Sequence, residues 1–434
     1  ATGGEASTEV QMLGLEDLDF DMHLDNNAQN SPTEIKPAAS PALSKTVSLI
    51  SSEDSSLLTA ETNPRSPEYA GGDSSLGGGS LPPATVGLEL VAEFEGHEAA
   101  ITCCRYSPDG ENVASSSSNG TIRIWSVDDA ATSSRNVTIR TSSNVLCLDW
   151  EPRREKLVLF GTSLGTVKGW NVDSKRFVFD LQIHKELTDV VSVKCSPSDA
   201  LFVAVASSSD RGAGRRGSLS LWNSRTFHKV GNLSVSRDED LDSPVNCVAF
   251  SHDGKVIAAG SEDGMITLYD SASRNVIAGF PASSDSAIVD IKFGGEDKSV
   301  WTLTGEGLAL EWNLSTSELV REIDLLDYQR RAGEGEEDAS PPPLPTNAPT
   351  PSSCAEGHEM SVDASGRFLA TTMGLSGLVL RLGEGQGETV LEALDTELGD
   401  LASLDWDKAS DQFVVGSKNS KLHIYAIEPT LSME

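Results

Sequence analysis

The chain has 434 residues, 66 of them acidic and 33 basic, for a net charge of −33. Binding a nucleic-acid backbone takes clustered Lys and Arg that displace counterions, so neither DNA nor RNA is an expected partner, and anionic lipid would be repelled except at a local basic patch. The six cysteines form no CxxC pair and the seven histidines supply no zinc spacing, which leaves no cofactor or metal expected and points to reduced thiols in a cytosolic protein. No apolar run is long enough for a membrane-spanning helix, and no secretory signal is visible. The chain opens at Ala1 rather than Met, as a fragment would.

Residues 1–87 are acidic and rich in Ser, Pro and Gly. Such a segment cannot bury enough apolar surface to offset its ordering entropy, so disorder is expected there. One island, residues 12–24, breaks the pattern. Leu18, Phe20 and Met22 alternate with acidic residues as in a strand, while Met12, Leu15, Leu18 and Met22 also share a helical face. It reads as a candidate docking motif, with an acidic linker carrying a few apolar residues as the plainer alternative.

From Leu88 the chain becomes strand-rich. Residues 88–94 form a strand, followed by Gly96-His97, a strand over 101–106, a Ser-Pro-Asp-Gly turn, and a third strand over 112–117. Next comes the pentad Thr121-Ile122-Arg123-Ile124-Trp125. Its shape returns at 166–170, 218–222, 265–269, 308–312, 378–382 and 421–425. A period of about 40–45 residues ending on a Trp-like position marks WD-repeat β-propeller blades. The expected fold is all-β, a seven-bladed propeller over residues 88–429. An enlarged loop with Arg211, Arg215 and Arg216 lengthens the third repeat. An acidic, Pro-rich insertion at 330–353, expected to be disordered, precedes the sixth. Each repeat supplies three strands where a blade has four, so residues 88–94 should complete the last blade and close the ring.

The Trp-like positions Trp125, Trp170, Trp222, Tyr269, Trp312 and Tyr425 read as structural, packing between blades with the polar tip hydrogen-bonded. Well-formed WD repeats link a Gly-His histidine, a strand Ser or Thr, a turn Asp and the Trp. Blade one has His97 and Trp125 but Asn119 in place of Asp; blade four has Asp263 and Tyr269 without the histidine. Elsewhere the turn position holds Leu164, Arg216, Glu306, Ser376 or Asn419. Cys195 takes a slot that holds an aromatic in other repeats, which makes it a candidate gap between blades. Arg211, Arg215 and Arg216 are a candidate surface for an acidic partner. No nucleophile elbow, phosphate-binding loop or HExxH motif is present, so no catalytic residue is assigned and no enzyme is expected.

Taken in order, residues 145–150 with 157–167, the Cys195-Ser-Pro turn, the enlarged third-blade loop, and 366–370 through 379–383 resemble the WD repeat-containing protein 91 family. The resemblance covers the propeller. It implies a non-enzymatic regulator of early-to-late endosome conversion, peripheral on early and late endosome membranes. Such a protein restrains the class III phosphatidylinositol 3-kinase complex, binds a late-endosomal Rab GTPase and works with a second WD-repeat protein. The family's amino-terminal helical and coiled-coil region is not seen in this sequence, which bears on kinase-complex contact and self-association where they depend on it and leaves the Rab contact expected of the propeller. Two other readings compete. Residues 221–225 resemble the Trp-Asp-x-Arg box of cullin-type ubiquitin-ligase substrate receptors, though Arg216 replaces the acidic turn residue. Residues 214–217 approach the Phe-Arg-Arg-Gly motif of phosphoinositide-binding propellers but lack its Phe.

Overall fold

In the computed structural model the described residues are 86–127, 137–154, 156–208, 216–233, 244–283, 286–327, 358–373, 376–383, 388–394, 400–408 and 410–429. The proposed motif at 12–24, with Leu18, Phe20 and Met22, lies outside them, as do Arg211, Arg215, Cys354 and the 330–353 insertion. The rest is seven four-stranded antiparallel sheets. Their innermost strands are Ile101–Tyr106, Val145–Trp150, Asp189–Cys195, Val245–Phe250, Ile288–Phe293, His358–Val362 and Leu401–Trp406.

Both faces of each sheet pack on a neighbour; the second strand of blade two, Leu157–Thr162, is buried at every position. The core divides accordingly into seven clusters, one at each contact between successive blades. One of them joins Phe94, Val414 and Leu422 of blade seven to Ile101, Cys104 and Trp125 of blade one, so the ring is closed. Val86–Glu95 forms the outer strand of blade seven, antiparallel to Lys421–Pro429. The strand starts at Val86 rather than Leu88, because Val86 and Gly87 extend the ladder onto Pro429 and Glu428. Ser376 likewise opens a strand, opposite Met373, instead of occupying a turn.

Blades one to six each carry an outer strand of their own. On the outer strands of blades two to seven an aliphatic residue is bulged out of the ladder: Val178, Val230, Ile277, Val320, Leu391 and Val91. A bulge twists a free edge away from further strand pairing.

Candidate functional site: the axle, the rim and the blade-one hydrogen-bond chain

The inner strands turn one edge to the propeller axis, where no further strand pairs with it. Side chains from the preceding blade take over those N–H groups. Asp405 accepts from Tyr106 N–H (2.9 Å), Asp149 from Cys195 (2.7 Å), Asp290 from Met360 (2.9 Å) and Glu359 from Leu404 (3.1 Å). Cations balance this ring. Lys292 lies 3.0 Å from Asp290, and Arg105 pairs with Glu359. Burial alone would raise the Glu359 carboxyl, but the charges of Arg105 and Lys292 outweigh it and hold the group below its ordinary value. Asp405 goes the other way, raised by burial against the pull of Arg105. These carboxylates are committed to backbone N–H groups and cations, so the ring works as a set of clasps between blades. Asp149 and Asp405 share the fifth position of their inner strands, whereas Asp290 and Glu359 sit at the third and second positions of theirs.

At the end of the inner strands the axle widens into a funnel of 450 Å³, edged by Tyr106, Trp150, Cys195, Phe250, Phe293 and Trp406. Cys195 is buried, and the open space beside it is this funnel, to which every blade contributes. Burial pushes its thiol well above the usual cysteine range, with Asp149 and Glu151 adding to the shift, so it is not a ready nucleophile. Trp150 and Trp406 reach back across a blade boundary, donating to Arg105 O and Ser361 O at 3.1 and 3.1 Å.

Blade one builds a continuous hydrogen-bond chain. Trp125 Nε1–H donates to Ser115 Oγ (2.8 Å), which lies 2.7 Å from His97 Nε2; His97 Nδ1 lies 3.3 Å from Thr121 Oγ1, which donates to Asn119 Oδ1 (2.7 Å). The indole can only donate and the amide oxygen can only accept. Each hydroxyl donates once, so the imidazole is neutral with its proton on Nδ1. Desolvation, and then the nearby Arg123 charge, push the His97 pKa down to about 4, in keeping with that direction. Asn119 therefore completes the chain in place of an Asp.

The other blades use parts of this scheme. Trp222 donates to Ser220 Oγ (2.8 Å) and Trp312 to Thr302 Oγ1 (3.3 Å). Trp170 has no hydrogen-bond partner for its indole N–H among the described residues; Phe160 fills the slot that Ser115 holds in blade one. Asp263 accepts from the Ser261 hydroxyl, Tyr269 is buried, and the Tyr425 hydroxyl lies 3.3 Å from His423 Nδ1. Arg216 is exposed and 3.4 Å from Glu186. Asn223, in the ubiquitin-ligase-like box, spends its Oδ1 on the N–H groups of Arg225 and Thr226, at 2.9 and 2.9 Å.

Among the described residues no three His, Cys, Asp or Glu side chains are placed to hold a metal ion, and no helix is long and apolar enough to cross a membrane. A family profile described as "WD domain, G-beta repeat" matches residues 88–126 and 234–270. WD repeat-containing protein 91 of Bos taurus is 26% identical over 355 residues, covering 77% of this chain and 45% of the relative. The Dictyostelium discoideum homolog is 33% identical over 243 residues, 54% of this chain and 30% of the relative. The Pongo abelii protein is 26% identical over 364 residues, 77% and 48%. The chain is a WD-repeat protein similar in sequence to WD repeat-containing protein 91. It spans less than half the length of these relatives. A WD-repeat propeller of this kind is a protein-interaction scaffold: a rigid ring holds its loops and strand edges in place for partners.

Proposed function

We propose that this WD-repeat protein is a non-enzymatic scaffold on endosomes. It binds a late-endosomal Rab GTPase and restrains class III phosphatidylinositol 3-kinase activity during early-to-late endosome conversion, peripheral to the membrane and held there through its partners. The observation that carries the reading is the likeness to WD repeat-containing protein 91, which runs through most of the propeller rather than through single pentads. The axial chemistry supports the non-enzymatic part. Its carboxylates already hold backbone N–H groups and cations, and its thiols are raised by burial.

The test is a pull-down of the full chain with a late-endosomal Rab GTPase locked in its GTP or its GDP state. Capture by the GTP-locked form is expected. Absence of capture in both states overturns the Rab assignment.

A further inference from the structure

A groove of 690 Å³ opens at the rim between blades two and three. Trp222 and Phe227 line it, backed by the buried rings of Phe179 and Phe202. Phe227 packs on Phe179 with ring centroids 4.8 Å apart, Phe179 lies 6.3 Å from Phe202, and Phe202 stacks on Trp222 at 6.4 Å.

Two departures from the repeat build this aromatic cluster. Gly169 stands where the other blades carry Ile124, Leu221, Leu268, Glu311 or Ile424; in blade six the register puts Val379 there, with Leu380 rather than Leu382 in the Trp-like slot. A Cβ there would lie 2.4 Å from Phe179 Cε1, so the glycine is what lets the ring lie flat across the strand. Phe227 takes φ 59° at a hairpin position held in blades two, four and five by Lys175, Arg274 and Ser317, at φ 54°, 63° and 57°. A bulky aromatic in the left-handed region is strained, and such strain persists where packing over-determines it, often at ligand clamps.

The rim of the groove is cationic on a strongly acidic molecule. Asp180 is taken by Lys168 at 2.7 Å and Glu186 by Arg216 at 3.4 Å. Lys229 has no such partner: its Nζ lies 5.9 Å above the Trp222 ring, and no carboxylate pairs with it among the described residues. Desolvation holds its ammonium below the ordinary lysine value. Lys185 stands exposed on the facing loop. That loop is fixed in place, since Gln182 Nε2 donates to His184 O (2.8 Å) and His184 Nδ1 accepts from the N–H groups of Glu186 and Leu187 (3.2 and 3.2 Å).

We propose that this groove receives an extended peptide segment of a partner protein in which an acidic residue flanks a large apolar one. The carboxylate pairs with Lys229 and Lys185, and the apolar side chain lies on Phe227 and Trp222. Charge complementarity selects this occupant: an ammonium held over an indole gains from a carboxylate and repels a basic peptide. The inference rests on the reading of the propeller as a docking scaffold, not on its endosomal assignment.

The test uses the full chain and a fluorescein-labelled peptide of sequence Gly-Ser-Glu-Glu-Leu-Phe-Glu-Ser-Gly, read by fluorescence anisotropy. Companion probes carry Lys for Glu, or Ser for Leu and Phe. Binding of the acidic-apolar probe alone is expected, weakened by salt. Lys229→Glu and Phe227→Gly should each weaken it by about tenfold; the glycine removes the ring and accepts the left-handed backbone. Lys408→Glu, in the axial funnel, should leave it unchanged. Melting curves establish that the variants are folded. No binding of the acidic-apolar probe, equal binding of the basic probe, or full affinity in folded Lys229→Glu would each overturn the proposal. A chain that ignores the probe but captures the Rab GTPase keeps the scaffold reading and loses this groove.

Discussion

Arg105 of blade one and Glu359 of blade six hold the inner strand of blade seven between them. Arg105 Nη1 donates to Ser403 Oγ and Leu404 O, at 3.1 and 3.3 Å. Glu359 Oε2 accepts from Ser403 Oγ and Leu404 N–H, at 2.6 and 3.1 Å. The two side chains then close on each other. The blade that depends on the amino-terminal strand for its fourth member is thus gripped a second time at the axle.

Breaking this grip from one side leaves a buried charge without its partner. Glu359→Ala should destabilise the propeller by about 3–5 kcal/mol, and Arg105→Met with Glu359→Met together by much less. Equilibrium denaturation in urea checks both. The sign for acid follows from the lowered carboxyl. The stabilisation is fully present above the ordinary Glu range and is lost only as pH falls through the lower folded value.

His97 gives the acid response at higher pH. Its pKa is about 4 in the fold against 6.5 unperturbed, so the unfolded chain takes up the proton first. Stability is full above the unperturbed value and falls by about 3 kcal/mol as pH drops to the folded one. Asn119→Asp should raise the His97 pKa, because a carboxylate at the end of the chain favours the imidazolium. Thermal midpoints measured from neutral pH down to about pH 4 should then fall less steeply in the variant than in the parent.

Ring closure predicts an asymmetry between truncations. Removing residues 1–80 should leave the melting midpoint unchanged. Removing residues 86–95 strips Ala92 and Phe94 from the blade-seven core and exposes the edge of Lys421–Pro429, so cooperative unfolding should be lost. Calorimetry of the two truncated chains separates these outcomes.

The fit of Gly169 against Phe179 can be tested from both sides. Gly169→Val should cost about 1–3 kcal/mol by overpacking. Adding Phe179→Ala should recover part of that loss, because the ring is what the new side chain meets. A double-mutant cycle in chemical denaturation reports the coupling.

The repeat was legible because the third strand of most blades alternates buried with half-buried side chains and ends on a large one, so its pentad keeps its shape while its residues drift. The outer strands were not, because bulges at residues such as Ile277 and Val320 break the two-residue period and leave those side chains exposed. In blade one the sequence suggested a broken hydrogen-bond chain, yet Asn119 offers the same acceptor oxygen as Asp. The axial ring was hidden for another reason: Asp149, Asp290 and Glu359 act on the following blade, and that relation exists only once the sheets are arranged in a circle. The groove lay in plain view as Gly169 and Phe227, but a missing side chain signals space only when its neighbour is known.

The pairing of Val86–Glu95 with Lys421–Pro429 also sets an order in time. The Lys421–Glu93 contact spans 328 positions of sequence, so Val86–Glu95 must wait, without this partner, until Lys421–Pro429 has emerged. Separations of that size slow folding and leave the waiting segment open to wrong associations. Assembly of this wheel should therefore end in a slow docking step that involves the first and last strands together, with six blades formed before it.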